Sequence, residues 1–233
     1  EMLRSLVGSE MCIRDRILIK WLVERLMAED TGAKLDELTI PQLCEKRSKM
    51  HFGEKAGSRY QMLSSAYQMI QAGNYHCPDS FKDILRQYQE TDSGLDYEYR
   101  RFYTAYDQIE DTTAFEPLRD LVENIYTNEY LETLLPKWNS AMQEPDAFTQ
   151  LPLQRDFYAR NIKNAKERTV VIISDAMRYE VGKELFRRMQ DDPKCSAKLE
   201  VQLSVLPSYT RLGMAALLPH TELTMTDDFK VLV

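Results

Sequence analysis

The stretch TVVIISDAMRYE, residues 169–180, decides the reading of the fold. Val170 to Ile173 are four β-branched residues in a row, with no polar alternation. A half-exposed antiparallel strand alternates, whereas a strand buried on both faces reads as a continuous Val/Ile run. Thr169 to Ser174 therefore predicts a central strand of a parallel sheet, covered by helices on both sides. Asp175 falls at its carboxyl end, where open α/β sheets place ligands. The following RYEVGKELFRRMQ puts Val181, Leu185, Phe186 and Met189 at helical spacing. The unit reads strand, turn, helix. An aspartate at such a place is more often a helix cap than a catalytic group.

A second unit of the same kind follows. KLEVQLSVL alternates Leu199, Val201, Leu203 and Val205, which predicts a strand over Lys198 to Leu206. Its parallel neighbour would be Thr169 to Ser174, through a right-handed crossover. Pro207 marks the turn, TRLGMAALL has helical composition, and Pro219 stops it. Gly213, Ala215 and Ala216 permit a close backbone approach. Ser208 and Thr210 thus lie at or just before a helix N-terminus, again beyond a strand's carboxyl end.

In a parallel sheet both strand ends face one side, so Asp175 and the Ser208/Thr210 turn are expected to meet. Free backbone N–H groups and the helix dipole favour an anion there. A carboxylate can hold a divalent metal, and a metal depresses a hydroxyl's pKa and makes it a nucleophile. Helix capping by Ser208 or Thr210 is the plainer alternative.

Upstream, from Ile17 to about Lys166, the pattern is helical. ILIKWLVERLM is amphipathic, and Pro41 suits the first turn of a second helix. Tyr60, Leu63, Tyr67 and Ile70 form a stripe closed by Gly73 as a C-cap. Ser80 with Asp83 reads as a capping box. Phe115, Leu118, Leu121, Val122 and Ile125 make a further stripe, continued by Tyr130, Leu134 and Trp138. Pro145 and Pro152 bracket a linker, and a short helix around Phe157 and Ile162 leads to Thr169. Residues 90–132 carry twelve acidic side chains against Arg100, Arg101 and Arg119, a balance of 3 − 12 = −9. A solvated helical surface is the usual meaning of such a run, and a docking face the alternative. Tyr97, Tyr99, Tyr103 and Tyr106 at helical spacing predict packing rather than base stacking.

Composition bounds the partners. The chain has 233 residues, 43% hydrophobic and 29% charged, with a net charge of −7. That balance argues against a nonspecific grip on nucleic acid by the whole chain. No apolar run reaches the length of a membrane span, and no signal-peptide pattern is present. Cys12, Cys44, Cys77 and Cys195 have no paired spacing and read as reduced thiols of a cytoplasmic protein. His76-Cys77 has no partner pair for zinc. SLVGSEMCIRDR, residues 5–16, resembles translated sequencing-adapter read-through, so residues 1–16 are assigned no function; an ordinary N-terminal helix is the alternative.

VVIISDAMRYEVGKEL together with LPSYTRLGMAALLPH resembles the PglZ family, the phosphatase-like component of BREX phage-defence systems, within the alkaline phosphatase superfamily. YRRFYTAYDQIED and QRDFYARNI are similar to the helical region that precedes that domain, so the resemblance covers roughly Tyr97 to His220. It implies a helical region over 17–166, followed by an α/β, alkaline-phosphatase-like parallel-sheet domain from 167 to 233. It also implies Asp175 as a metal ligand and Thr210 as both nucleophile and metal ligand, with Ser208 as runner-up nucleophile. Arg178 and Glu180 match the motif and are read as helix-surface or turn-stabilising residues. Arg211 is read as solvated or salt-bridged, with a phosphate as the alternative partner.

The implied cofactor is a divalent metal, zinc foremost, with manganese and magnesium as alternatives. The implied partners are other phage-defence proteins and a phosphoester substrate; phosphate monoester, nucleotide and nucleic-acid diester stay open. The superfamily completes its metal site with further Asp and His residues downstream. After Thr210 this chain offers only His220, Asp227 and Asp228, and His220 reads as a helix C-cap. DDFKVLV reads as the beginning of another strand, so the expectation is a truncated domain, inactive as it stands. A non-catalytic scaffold that keeps the phosphatase fold is the competing reading. A receiver-like or nucleotide-binding α/β domain using Asp175 alone does not explain the Thr210 turn and lacks a Gly-rich loop.

Overall fold

Helical periodicity in the first two thirds of the chain becomes helix wherever an apolar face finds cover. The computed structural model describes residues 2–50, 56–149 and 151–233, without the side chains of 2–12 and 148. Cys12 and most of the adapter-like stretch therefore lie outside the described side chains. The chain divides into two units, Glu1–Asp79 with Asp83–Trp138, and Ser80–Lys82 with Asn139–Val233.

In the first unit, α1 (Met2–Met27) buries Leu18, Ile19, Leu22 and Leu26. A short antiparallel hairpin follows, β1 (Lys34–Leu35) and β2 (Leu38–Thr39), turned by Asp36 and Glu37 at φ 49° and 64°. Helix α2 (Ile40–Ser48) has Pro41 in its first turn, as expected, and the Gln42 side-chain oxygen accepts the Thr39 N–H at 3.0 Å. Helix α3 (Gly57–Gln71) buries the whole predicted stripe, Tyr60, Leu63, Tyr67 and Ile70.

Gly73 donates its N–H to the Ile70 carbonyl, but the left-handed residue is Asn74, at φ 62°. At Gly73 a Cβ would stand 3.2 Å from the Ile70 oxygen, closer than most such contacts, so glycine spares that crowding.

Helix α4 (Phe81–Gln87) runs into a π-helical turn, Tyr88–Asp92, and then α5 (Ser93–Tyr106). Helix α6 (Glu116–Asn124) likewise passes through a π-helical stretch, Ile125–Leu131, into α7 (Glu132–Ala141). Helix α3 packs chiefly on α5 and α2. Phe102, Leu118 and Val122 are fully enclosed in this core.

The acidic run is not simply a solvated surface. Asp92 and Asp96 are buried. Asp92 accepts hydrogen bonds from the Tyr75 hydroxyl (2.6 Å) and Thr91 Oγ1 (3.0 Å). Asp96 accepts from the hydroxyls of Tyr88 (2.7 Å) and Tyr126 (2.8 Å). Glu123 accepts from Tyr103 (2.6 Å) and Tyr99 (2.8 Å). A buried carboxylate is tolerated only when donors surround it, and the tyrosines supply them. Their rings pack against one another, Tyr99 stacking on Tyr126 at 3.7 Å. They are structural, as expected.

In the second unit, a π-helical turn at Tyr158–Ile162 takes the place of the short helix expected there. Helix α8 (Tyr179–Gln190) and α9 (Thr210–Leu217) fall where periodicity put them. DDFKVLV does form a strand, β4 (Val231–Leu232), but in an antiparallel pair with β3 (Thr224–Met225).

The expected parallel sheet is not seen among the described residues. Neither Thr169–Ser174 nor Lys198–Leu206 is a strand, and no ladder joins them among the described residues. Val170 is 74% and Ile172 88% exposed. An apolar run records what a segment is built to bury, and it becomes a strand only when a neighbouring strand supplies the ladder and helices cover its faces. Neither condition is met here. The parallel partner of the second segment lies elsewhere. Leu203 bridges Leu153, with Gln154 N–H to the Leu203 carbonyl at 2.8 Å and Leu203 N–H to the Pro152 carbonyl at 2.9 Å.

Candidate active site at two turns

Asp175 and Thr210 each stand at a turn that opens a helix, and each is exposed. The Asp175 turn is set by its own side chain, whose Oδ1 accepts the Ala176 N–H at 3.0 Å. Ala176 takes φ 53°, a left-handed conformation uncommon for a residue with a Cβ. Helix α8 begins beyond it, with Arg178 rather than Asp175 at the N-cap. The capping reading of Asp175 therefore fails, and its other carboxylate oxygen makes no hydrogen bond among the described residues.

Arg178 and Glu180 interact, Nε to Oε1 at 3.7 Å. Glu180 is 1% exposed and so does not belong to the helix surface. Arg178 keeps the turn-stabilising part of the expectation.

At the second turn Tyr209 is the N-cap of α9, with no side-chain cap, and Thr210 is the first helical residue. Capping by Ser208 or Thr210 is thereby removed as an explanation of those residues. Thr210 Oγ1 makes no hydrogen bond among the described residues. The first N–H groups of α9 face the same end, an arrangement that suits an anion. Helix α9 is seated by Leu212 and Ala216, both buried, against the turn Gln154–Asp156. His220 Nδ1 lies 2.8 Å from the Leu218 carbonyl just past α9, in keeping with its predicted C-capping place.

One contact escaped the sequence. Gln154 Nε2 donates to the Gly213 carbonyl (3.2 Å), and Gln154 Oε1 accepts the Val205 N–H (3.0 Å). A single side chain thus spans the segment before the turn and the helix after it. Its partners lie 51 and 59 residues away, and no local pattern signals them.

No hydrogen bond joins Asp175 to Thr210 among the described residues. Nor do the described residues hold a group of three or more His, Cys, Asp or Glu side chains suited to a metal. One carboxylate and one hydroxyl do not make the closed ligand set that a tightly bound zinc needs. Asp175 supplies a hard oxygen donor and no more.

Comparison with known proteins bears on the same segment. Residues 156–233 match the model of the BREX system PglZ alkaline phosphatase-like domain. The chain is 36% identical over 233 residues to the alkaline phosphatase-like protein PglZ of Bacillus cereus (strain H3081.97), covering 95% of this chain and 27% of that protein. It is 31% identical over 229 residues to the alkaline phosphatase-like protein BrxZ of Escherichia coli O9:H4 (strain HS), covering 90% of this chain and 26% of that one. The chain thus spans about a quarter of the length of these curated relatives. No solved structure matches it significantly. Residues 156–233, with both turns inside them, belong to the PglZ family of alkaline phosphatase-like domains.

Proposed function

We propose that the chain carries the nucleophile turn and one metal-ligand turn of a metal-dependent phosphohydrolase or phosphodiesterase. In the whole protein this domain would work within a BREX-type phage-defence assembly, with other defence proteins as partners and a phosphoester as substrate. The observation that carries the reading is the state of Thr210. It is exposed, unused as a cap, and placed at the N-terminus of α9 inside the matched segment. A helix N-terminus favours a phosphoryl group beside it. The Thr210 oxygen would attack phosphorus, giving up its proton to water, and the bond from phosphorus to the leaving oxygen would break, leaving a phospho-threonine and a departing oxygen that takes up a proton. Water would hydrolyse that ester in a second step.

Asp175 is assigned one metal contact. When bound, a divalent ion would stabilise charge on the phosphoryl oxygens and lower the pKa of the attacking hydroxyl. The ligand set of these residues is incomplete, so we place the remaining ligands in the part of the longer protein that this chain does not span. The zinc preference, and the choice among monoester, nucleotide and nucleic-acid diester, belong to the same proposal.

The test is hydrolysis of an activated phosphodiester and an activated phosphomonoester by the full-length protein, with zinc, manganese or magnesium added. Chelator-sensitive turnover that disappears in Thr210→Ala supports the reading. Turnover unaffected by Thr210→Ala would move the nucleophile to Ser208 or to a water. No turnover with any of the metals would favour a scaffold that keeps the phosphatase fold.

A further inference from the structure

We infer that Gln154 is a positioning residue for the turn that carries Thr210, clamping it from outside the family-matched segment. Three observations carry this. First, Gln154 reaches both flanks of the turn at once, accepting from the Val205 N–H at 3.0 Å and donating to the Gly213 carbonyl at 3.2 Å. Second, its backbone joins the same place, through Gln154 N–H to the Leu203 carbonyl at 2.8 Å and the Leu153–Leu203 parallel bridge. Third, helix α9 packs on the short turn that Gln154 begins.

The Val205–Gly213 span contains Pro207, Ser208 and Thr210, all exposed, so little packing of their own fixes their position. A side chain that ties both ends of such a loop sets the direction in which the Thr210 hydroxyl points. Gln is the fitting residue, because it offers one acceptor and one donor at the end of one stem. Glu keeps the acceptor and loses the donor, while Met keeps the length and loses both.

The inference rests on Thr210 as the attacking group. Its test is made in the full-length protein, with hydrolysis of the activated phosphodiester beside amide hydrogen exchange over residues 203–213. Gln154→Met should speed exchange at Val205, which loses its acceptor, and at Gly213, the first hydrogen-bonded amide of α9. It should lower kcat by about 10–100-fold, the scale of a roughly 1 Å misplacement, with KM and metal affinity little changed. Gln154→Glu should keep Val205 protected and show a smaller loss of kcat.

Faster exchange with unimpaired kcat in Gln154→Met would overturn the positioning role and leave Thr210 as nucleophile intact. Equal loss of kcat and metal affinity would also overturn it, by showing general disruption of the site. An inactive wild-type protein would instead overturn the proposed activity, and this inference with it. If the Met variant does not fold, Gln154→Glu alone decides. Full kcat in that variant, with exchange unchanged at Gly213, would overturn the clamp through the Gly213 carbonyl and with it the positioning role.

Discussion

Leu153 and Leu203 are parallel neighbours, so the segment before the family-matched domain supplies the strand-like partner that Val170–Ile173 was expected to supply. The Pro207–Thr210 turn therefore hangs from Pro152–Gln154. The Asp175 turn lies on a segment that makes no ladder among the described residues.

Thr210→Ser should retain part of the turnover of the full-length protein, because a hydroxyl remains at the first position of α9. Ser208→Ala should leave turnover within a few-fold of wild type. Asp175→Asn should weaken activation by added metal, since a neutral amide is a poorer ligand than a carboxylate. Metal titrations of hydrolysis check all three. Loss of activity in Ser208→Ala with retention in Thr210→Ala would reverse the two assignments.

Phe102→Ala should destabilise the helical unit by about 3–5 kcal/mol, the range for removing a fully buried aromatic ring. Phe102 is 0% exposed and packs edge-on against Tyr103 with ring centres 5.4 Å apart. Urea denaturation followed by far-ultraviolet circular dichroism measures the change. A loss under 1 kcal/mol would mean that the ring is not enclosed as described.

Tyr126→Phe should cost about 1–3 kcal/mol, because it removes a donor to the buried carboxylate of Asp96 while the ring still packs. The same denaturation series measures it. Tyr97→Phe serves as the control, since Tyr97 donates to no buried carboxylate among the described contacts.

Stability should fall in acid partly through Glu123. The Tyr103 hydroxyl holds its carboxyl below the ordinary value of 4.5, against an opposing effect of burial, with help from Tyr99 and Thr127. A carboxyl depressed on folding stabilises the protein above its unfolded pKa, and that contribution is lost as pH falls through the folded value. Tyr103→Phe should therefore reduce stability more at neutral pH than in acid below the folded midpoint of Glu123, where its carboxyl is protonated in both states. Carboxyl NMR titration should show the Glu123 midpoint moving up in that variant.

Alkylation should discriminate among the thiols. Cys195 is exposed, whereas Cys44 and Cys77 are buried. Burial pushes the Cys44 thiol up to about 12, so almost no thiolate forms at pH about 8. Mass spectrometry after brief iodoacetamide treatment of the folded protein should find Cys195 modified before Cys77 and Cys44, the three thiols among the described side chains. Early labelling of Cys44 would show that α2 opens from the core.

The sequence by itself determined what is local. The stripe Tyr60, Leu63, Tyr67 and Ile70 became the buried face of α3 because helical spacing places those residues on one side whatever lies opposite. Pro41 and Pro219 marked helix limits because proline's missing N–H acts within one turn. SDAMRYE and PSYTRLGMAALLPH pointed to a family because motifs are contiguous. The tertiary structure decided what is long-range: which buried carboxylates the tyrosines satisfy, where Leu203 finds its partner, and that Val170 and Ile172 remain exposed. The physical reason is that a helix closes its hydrogen bonds within itself, so its pattern is nearly sufficient for its existence. A strand closes them on a neighbour, and a buried carboxylate is satisfied in large part by donors from other segments, as Asp96 is by Tyr126 and Asp92 by Tyr75. The identity of those partners is absent from the local sequence that needs them.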